Sequence, residues 1–227
     1  MRYCIMCGGK YRYWKYPKQL SKINGETLIE RTVRLLKEAG VDSRDIYMTA
    51  SKELRDILLN KEYFPTVPTI ISMKYNTYDV TEPDKFTGQW SDCFTNYLEP
   101  TTYLMGDVVF SPQAIKTIVE TETDDIEFFA SAPPFARNYP KKWAEPFAFK
   151  VVDFWHLRHA KFLVDLYERQ GAFKRKPIAW ELWQVIKGTE LNKIDYTNYT
   201  VINDYTCDID LPEDIRKFEG GEEWQFT

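Results

Sequence analysis

The sequence predicts an α/β fold: one domain on a mostly parallel, mixed sheet with helices on both faces. Three observations predict it. Short apolar runs alternate with segments whose apolar residues recur at spacings of three and four, the pattern of strands separated by helices. The chain has 227 residues, enough for one sizeable core. No repeat, low-complexity tract or clean linker divides it, so a single domain over 1–227 is expected, with an inserted lobe at about 131–200.

The first element is a strand from Tyr3 to Met6, which runs into Gly8-Gly9 and a basic aromatic loop. A helix follows, set by Ile29, Val33 and Leu36, with Thr27 as its cap, Glu30 completing a capping box, and Gly40 as its stop. Residues 45–49 read as the next strand and 51–60 as a helix with Leu54, Ile57 and Leu58 on one face. Thr69 to Ser72 reads as a third strand, and the polar stretch from Lys74 to Gly88, with its Pro83, as loop. A short helix is expected at Ser91 to Tyr97. Thr102 to Met105 is the most strand-like run and ends at Gly106-Asp107. Ser111-Pro112 opens a helix to about Thr121, with Pro at its first position. Strands at 126–131 and 146–152 flank a Pro-rich loop. Helices at 153–170 and 178–187, a strand at 200–202 and a final helix opened by Pro212 complete the chain.

Composition narrows the function. Charged residues make up 28%, apolar residues 44%, and no apolar run nears the roughly 20 residues of a membrane span, which excludes a disordered or membrane-spanning chain. The opening MRYCIMCGG is shorter than the apolar region of a signal peptide, so a cytoplasmic location is expected. A net charge of −4 offers no footprint for nucleic acid, whereas a small phosphorylated ligand needs only local Lys and Arg. Seven Trp, fifteen Tyr and fourteen Phe suit a thick core, or stacking surfaces for planar rings. Cys4, Cys7, Cys93 and Cys207 are too few for a disulfide framework and are expected as free thiols. Cys4 and Cys7 have C-x2-C spacing, but no second pair follows, and packing in a buried strand is the preferred reading. His156 and His159 lie at i and i+3 with no third ligand nearby in sequence, and are read as helix surface or lobe packing.

Chemistry is expected at the carboxyl ends of the strands, where the loops of an open α/β sheet converge. Gly8 and Gly9 allow close backbone approach to phosphate oxygens, and Lys10, Arg12, Lys15 and Lys18 supply charge; the alternative is a tight turn with solvated lysines. Lys18 is expected to be exposed, with no partner in the local sequence. Carboxylates fall at two further strand ends, Asp107, and Asp208 with Asp210. Residues i and i+2 of a strand project together, a spacing suited to a hard cation such as Mg2+. Asp210 can also be read as the cap of the helix opened by Pro212.

These residues carry a resemblance. Gly8-Gly9, Arg12, Pro17-Lys18-Gln19-Leu20 and Ile23-Asn24-Gly25-Glu26-Thr27-Leu28-Ile29-Glu30-Arg31 resemble the opening of the nucleotidyltransferase superfamily, which has a GT-A-like (Rossmann-like) fold. Gly106-Asp107 is similar to its metal-binding aspartate, and Asp208-Ile209-Asp210-Leu211-Pro212-Glu213-Asp214 to its D-x-D-T-P-E-D-L ending. The three blocks stand in order over about 210 residues. Lys10 and Tyr11 stand where the family has further glycines, and Leu211 where it has Thr or Ser.

The resemblance implies transfer of a nucleoside monophosphate from an NTP to a phosphorylated acceptor, with release of pyrophosphate. Arg12 and Lys18 take the catalytic roles, Gly8, Gly9, Lys10, Gln89 and Ser91 the nucleotide, and Asp107, Asp210 and Asp208 a Mg2+ ion. Arg137, Lys142, Trp143 and Glu145, with Lys141, fall where the family builds its acceptor side, for which a solvated loop is the alternative. The small cytidylyltransferases are the best match, so CTP is the favoured donor and a sugar or alcohol phosphate the acceptor. Trp143, Trp155, Trp180 and Trp183 are either core or a box for a methylated ammonium such as phosphocholine. No nucleic-acid or membrane partner is expected, and a homodimer is left open. A GT-A glycosyltransferase and a catalytically silent nucleotide-binding module are the alternatives.

Overall fold

The computed structural model describes residues 1–7, 14–59, 69–72, 93–94, 98–132 and 144–218. The strands are β1 (Arg2–Cys7), β2 (Lys22–Ile23), β3 (Glu26–Thr27), β4 (Ile46–Ala50), β5 (Thr69–Ser72), β6 (Thr101–Met105), β7 (Val108–Val109), β8 (Ile126–Ser131), β9 (Pro146–Val151), β10 (Thr200–Ile202) and β11 (Cys207–Asp208). The helices are α1 (Leu28–Glu38), α2 (Lys52–Leu58), α3 (Pro112–Glu120), α4 (Phe154–Arg169), α5 (Ala179–Lys187) and α6 (Pro212–Ile215). Each regular element expected within these residues is present, with boundaries moved by a residue or two. The Lys74 to Gly88 loop lies outside the described residues, as does the Ser91 to Tyr97 helix except for Cys93 and Phe94, which are buried.

Seven strands form one sheet in the order β10-β8-β9-β6-β1-β4-β5. β1 pairs in parallel with β4 and β6, β4 with β5, and β8 with β10, while β9 runs antiparallel to both neighbours. The sheet is therefore mostly parallel. One edge gathers the carboxyl ends of β1, β4, β6, β8 and β10 and the amino end of β9. Every residue from Tyr3 to Cys7 is buried, so both faces of the central strand are covered, as a parallel strand requires.

Local chemistry fixes the elements around β1. Asn24 and Gly25 take positive φ, 52° and 85°, which is the geometry of a two-residue hairpin turn, and β2 and β3 pair across it. β3 leads into α1, where the Thr27 hydroxyl accepts from the Glu30 amide at 3.2 Å and the Glu30 carboxylate accepts from the Thr27 amide at 2.8 Å. This is the expected capping box. Ser111 caps α3 by accepting from the Ala114 amide at 2.8 Å, with Pro112 in the first turn. At the far end of α3 the buried Lys150 ammonium donates to the Val119 and Thr121 carbonyls at 3.0 and 2.5 Å, satisfying orphan acceptors.

The core runs through the whole sheet. The Phe128 ring stacks on Phe149 at 4.4 Å, with Trp180 edge-on at 4.8 Å and Trp183 at 5.4 Å. Leu157, Ala160 and Val164 of α4 and most of α5 join the same cluster, so residues 144–200, expected within an inserted lobe, share the main core. Trp180 and Trp183 are 2% and 1% exposed, so for both the core reading holds over the aromatic box: flat rings of that area fill the space between α5 and the sheet. Trp155 is 63% exposed beneath the Arg158 guanidinium, and Trp143 lies outside the described residues. His156 Nδ1 lies 2.7 Å from an Asp125 carboxylate oxygen and His159 is exposed. No helix among the described residues is long and apolar enough to cross a membrane.

All four cysteines are buried free thiols. Cys4 and Cys7 are three apart on a strand, so they point to opposite faces. Burial pushes the Cys4 thiol up to about 12, against a small opposing effect from its backbone hydrogen bond with Thr49. Burial, then the Asp107 charge, pushes Cys7 well above its ordinary value. The native state thus holds protons that the unfolded chain releases near pH 9, so stability is complete below that pH and falls as pH rises toward 12. Cys4 alone is expected to remove about 1 kcal/mol between pH 9 and 10. Melting temperatures from pH 8 to 10.5 should fall more gently in Cys4→Ala than in the wild type; an equal slope assigns the loss to other groups.

Candidate active site

The site is built where β6 ends. Gly106 donates its amide to the Met6 carbonyl at 3.0 Å, and a Cβ on it would meet that oxygen and the Cys7 sulfur at 2.5 Å. Only glycine lets the chain turn this close to β1, and the turn presents Asp107 at the carboxyl edge of the sheet. The chain then runs back as β7, which pairs antiparallel with β11 through Cys207 with Val109 and Asp208 with Val108. The Ile209 amide donates to the Asp107 carbonyl at 2.9 Å, so two blocks a hundred residues apart are locked together.

Further bonds hold the later block in place. Ser111 Oγ donates to Asp204 at 2.5 Å, the Ser111 amide to Thr206 Oγ1 at 3.0 Å, and Arg31 of α1 reaches both the Phe110 carbonyl and the Tyr205 hydroxyl at 3.1 Å. Ile23, Leu28, Val109, Ile209 and Ile215 form a second small core beneath, with Trp14 and Phe218 packed on it. Trp14 Nε1 donates to the Asp210 carbonyl at 2.8 Å. The Asp214 carboxylate accepts from the Leu211 and Asp210 amides at 2.8 and 3.1 Å. This corrects the reading of Asp210 as a helix cap: Asp214 reaches back to cap α6 from its third position, and an Asp210 carboxylate oxygen lies 3.8 Å from the Lys18 ammonium.

Lys18 joins these blocks. Pro17-Lys18-Gln19-Leu20 folds as a single 3-10 turn whose polar side chains point inward, with Lys18 and Gln19 3% and 1% exposed. The Lys18 ammonium lies 2.7 Å from Asp107 Oδ2, donates to the Ile209 carbonyl at 2.8 Å, and is 3.8 Å from Asp210 Oδ1. Burial pulls its pKa down, but the charges of Asp107, Asp210 and, more weakly, Asp208 outweigh it, and the net direction is up. The expectation of an exposed, unpaired Lys18 is therefore wrong. Its partners come from residues 107 and 209–210, which no local window contains.

The structure brings Asp107 and Asp210 onto one cation, with Asp208 acting on it from farther off. Among the described residues, no three Asp, Glu, His or Cys side chains converge as a ready-made metal-ligand set. Two carboxylates still fit Mg2+, which is commonly held by one or two of them and completes its shell with water and phosphate oxygens. Glu145 lies at the same edge, before β9, with its amide donating to Ser131 Oγ at 2.8 Å and its side chain buried. Gly8, Gly9, Lys10, Arg12, Gln89, Ser91, Arg137, Lys141, Lys142 and Trp143 lie outside the described residues; Lys15 is exposed.

Sequence reasoning missed one cluster. Arg175 Nε pairs with Glu181 Oε1 at 2.6 Å, and Glu181, 3% exposed, also accepts from the Ile178 amide at 3.0 Å. Tyr196 lies against Trp180 at 4.8 Å; burial raises its pKa, Arg175 opposes this, and Glu145 and Glu181 add to it. The signal was a Glu at the third position of a helix start, after an unassigned Arg.

No protein-family model matches the sequence, and no curated protein matches it. Solved structures share the fold over almost the whole chain. A Bacillus anthracis protein described as a glucose-1-phosphate thymidylyltransferase is 17% identical with a TM-score of 0.56, covering 96% of this chain and 93% of its own. The inositol-1-phosphate CTP transferase of T. maritima is 14% identical with a TM-score of 0.53, covering 97% of each chain. The CTP:phosphocholine cytidylyltransferase of Streptococcus pneumoniae is 15% identical with a TM-score of 0.52, covering 96% of this chain and 97% of its own. These structural neighbours are nucleotidyltransferases, and the resemblance read from the residues is borne out at the level of the fold.

Proposed function

We propose that the chain is a nucleotidyltransferase that moves a nucleoside monophosphate, CMP by preference, from an NTP to a phosphorylated small molecule. The observation that supports this most is the meeting of Asp107 and Asp210, from two separate blocks, on one buried ammonium at the carboxyl edge of the sheet. In the reaction an acceptor phosphate oxygen bonds to the α-phosphorus, the bond to the β-phosphate bridging oxygen breaks, and pyrophosphate leaves. The attacking oxygen is already ionised, so no general base is required, and positioning and electrostatics carry the catalysis. Mg2+, held by Asp107 and Asp210 with Asp208 behind them, would supply positive charge to the phosphate oxygens. Lys18 and Arg12 answer the charge that develops on the transferred and leaving groups.

Gly8, Gly9 and Lys10 are assigned to the triphosphate, and Gln89 and Ser91 to the base and ribose. Arg137, Lys142, Trp143 and Glu145 are assigned to the acceptor, within the stretch 131–200. The preference for CTP rests on the PKQL and DIDLPED blocks, and two of the structures named above are proteins described by their use of CTP. Trp180 and Trp183 are buried and lend a phosphocholine head group no support, and the proposed acceptor class stays a sugar phosphate or an alcohol phosphate.

Pyrophosphate release from each of five NTPs, with a panel of phosphorylated acceptors and Mg2+, tests the reading. Release with CTP that requires acceptor is the expected result. A sugar-nucleotide glycosyltransferase and a silent binding module would both give no release with any NTP. By calorimetry with Mg2+, CTP is expected to bind more tightly than GTP, and the reverse order would move the donor while leaving the reaction class in place.

A further inference from the structure

We infer that the Lys18 ammonium is the resident counter-ion of the Asp107 and Asp210 carboxylates, in competition with the divalent cation, and that Lys18 turns to phosphate only as the metal replaces it. This rests on the reading of the two carboxylates as metal ligands.

The ammonium is held where a cation between the carboxylates belongs, 2.7 Å from one and 3.8 Å from the other, and it is 3% exposed. Two carboxylates brought onto one point repel each other, and in a partly dry site that repulsion must be answered by positive charge. In the absence of metal, Lys18 answers it. An ammonium has three N–H donors; Asp107 and the Ile209 carbonyl hold it at hydrogen-bond distance, and Asp210 draws it further in. The same group cannot then hold phosphate oxygens as the proposed reaction asks. A divalent ion arriving at the carboxylates meets the ammonium as a like charge, and the four-carbon stem lets the head group move aside. A triphosphate gives it new acceptors. Metal and nucleotide should therefore each raise the affinity for the other, by the same factor in both directions.

The test is Mn2+ binding without nucleotide, measured by electron paramagnetic resonance on the full chain. Lys18→Met should bind Mn2+ at least about tenfold more tightly than the wild type, within the usual range of coupling between two sites. Lys22→Met, a nearby exposed lysine on the β2–β3 hairpin, should stay within about twofold, because its charge is screened. A non-hydrolysable CTP analogue should tighten Mn2+ binding much more in the wild type than in Lys18→Met. If Lys18→Met does not fold, Lys18→Gln carries the same comparison, since its amide can still donate to Ile209. Equal Mn2+ affinity in the wild type and the Lys18 variant, with binding abolished in Asp107→Asn, overturns the competition and leaves the metal ligands standing. No saturable Mn2+ binding in any of these proteins, with or without the analogue, overturns the metal reading and the inference together.

Discussion

Asp107→Asn is expected to lower turnover by about 10²-fold or more in saturating Mg2+, since a metal clamp on developing phosphoryl charge is worth several kcal/mol and each 1.4 kcal/mol is about tenfold. The substitution nearly preserves shape. Position 107 is fixed by backbone, through the close turn at Gly106 and the bond from the Ile209 amide to the Asp107 carbonyl, and the side chain contributes to neither. What changes is one negative charge facing Lys18 and, on the proposed reading, the metal ion. Melting temperature measured beside the kinetics separates the effects: a change of a few degrees with collapsed turnover places Asp107 in the chemistry. Turnover within a few-fold of the wild type would refute its assignment as a metal ligand.

The fold was legible because its signals are local. Residues 3–7, 46–50 and 101–105 are runs of apolar residues and threonine, buried at every position but the partly buried Tyr47, and such strands show themselves whatever lies beside them. The capping box of Thr27 and Glu30 lies within four residues, and it formed as read. What lay outside local windows was missed. β9 pairs antiparallel to β6 and β8, a direction that no local pattern of apolar residues encodes. β7 and β11 are two residues each, too short for any period, and exist because Asp107 and Ile209 meet. Asp210 and Asp214 offered the same capping chemistry, and only the backbone path decides between them. Lys18 is the clearest case. Its neighbours in sequence, Trp14 to Lys22, are basic, aromatic and polar and include no carboxylate, while its partners lie 89 and 192 residues further on.

That burial changes what removing Lys18 should do. Lys18→Ala is expected to lower stability by about 2 kcal/mol, and the melting temperature by roughly 4–8 °C for a chain of this size. The loss is smaller than the 3–5 kcal/mol typical of breaking a fully buried pair, because the Asp107 and Asp210 side chains are 27% and 56% exposed and water can reach them. The Ile209 carbonyl loses its donor as well. The pKa of Lys18 is raised in the folded chain, so its contribution is complete below the ordinary lysine range near pH 10.5 and lost above it; at neutral pH the full difference should be seen. Turnover should fall about 10²-fold, the usual scale for losing one donor aimed at developing charge. On the proposed reading Mg2+ would supply the missing positive charge at the two carboxylates, so it should raise the melting temperature of Lys18→Ala more than that of the wild type. A melting temperature unchanged by the substitution would contradict the buried ion pair. Normal turnover per folded molecule would leave Lys18 a purely structural residue.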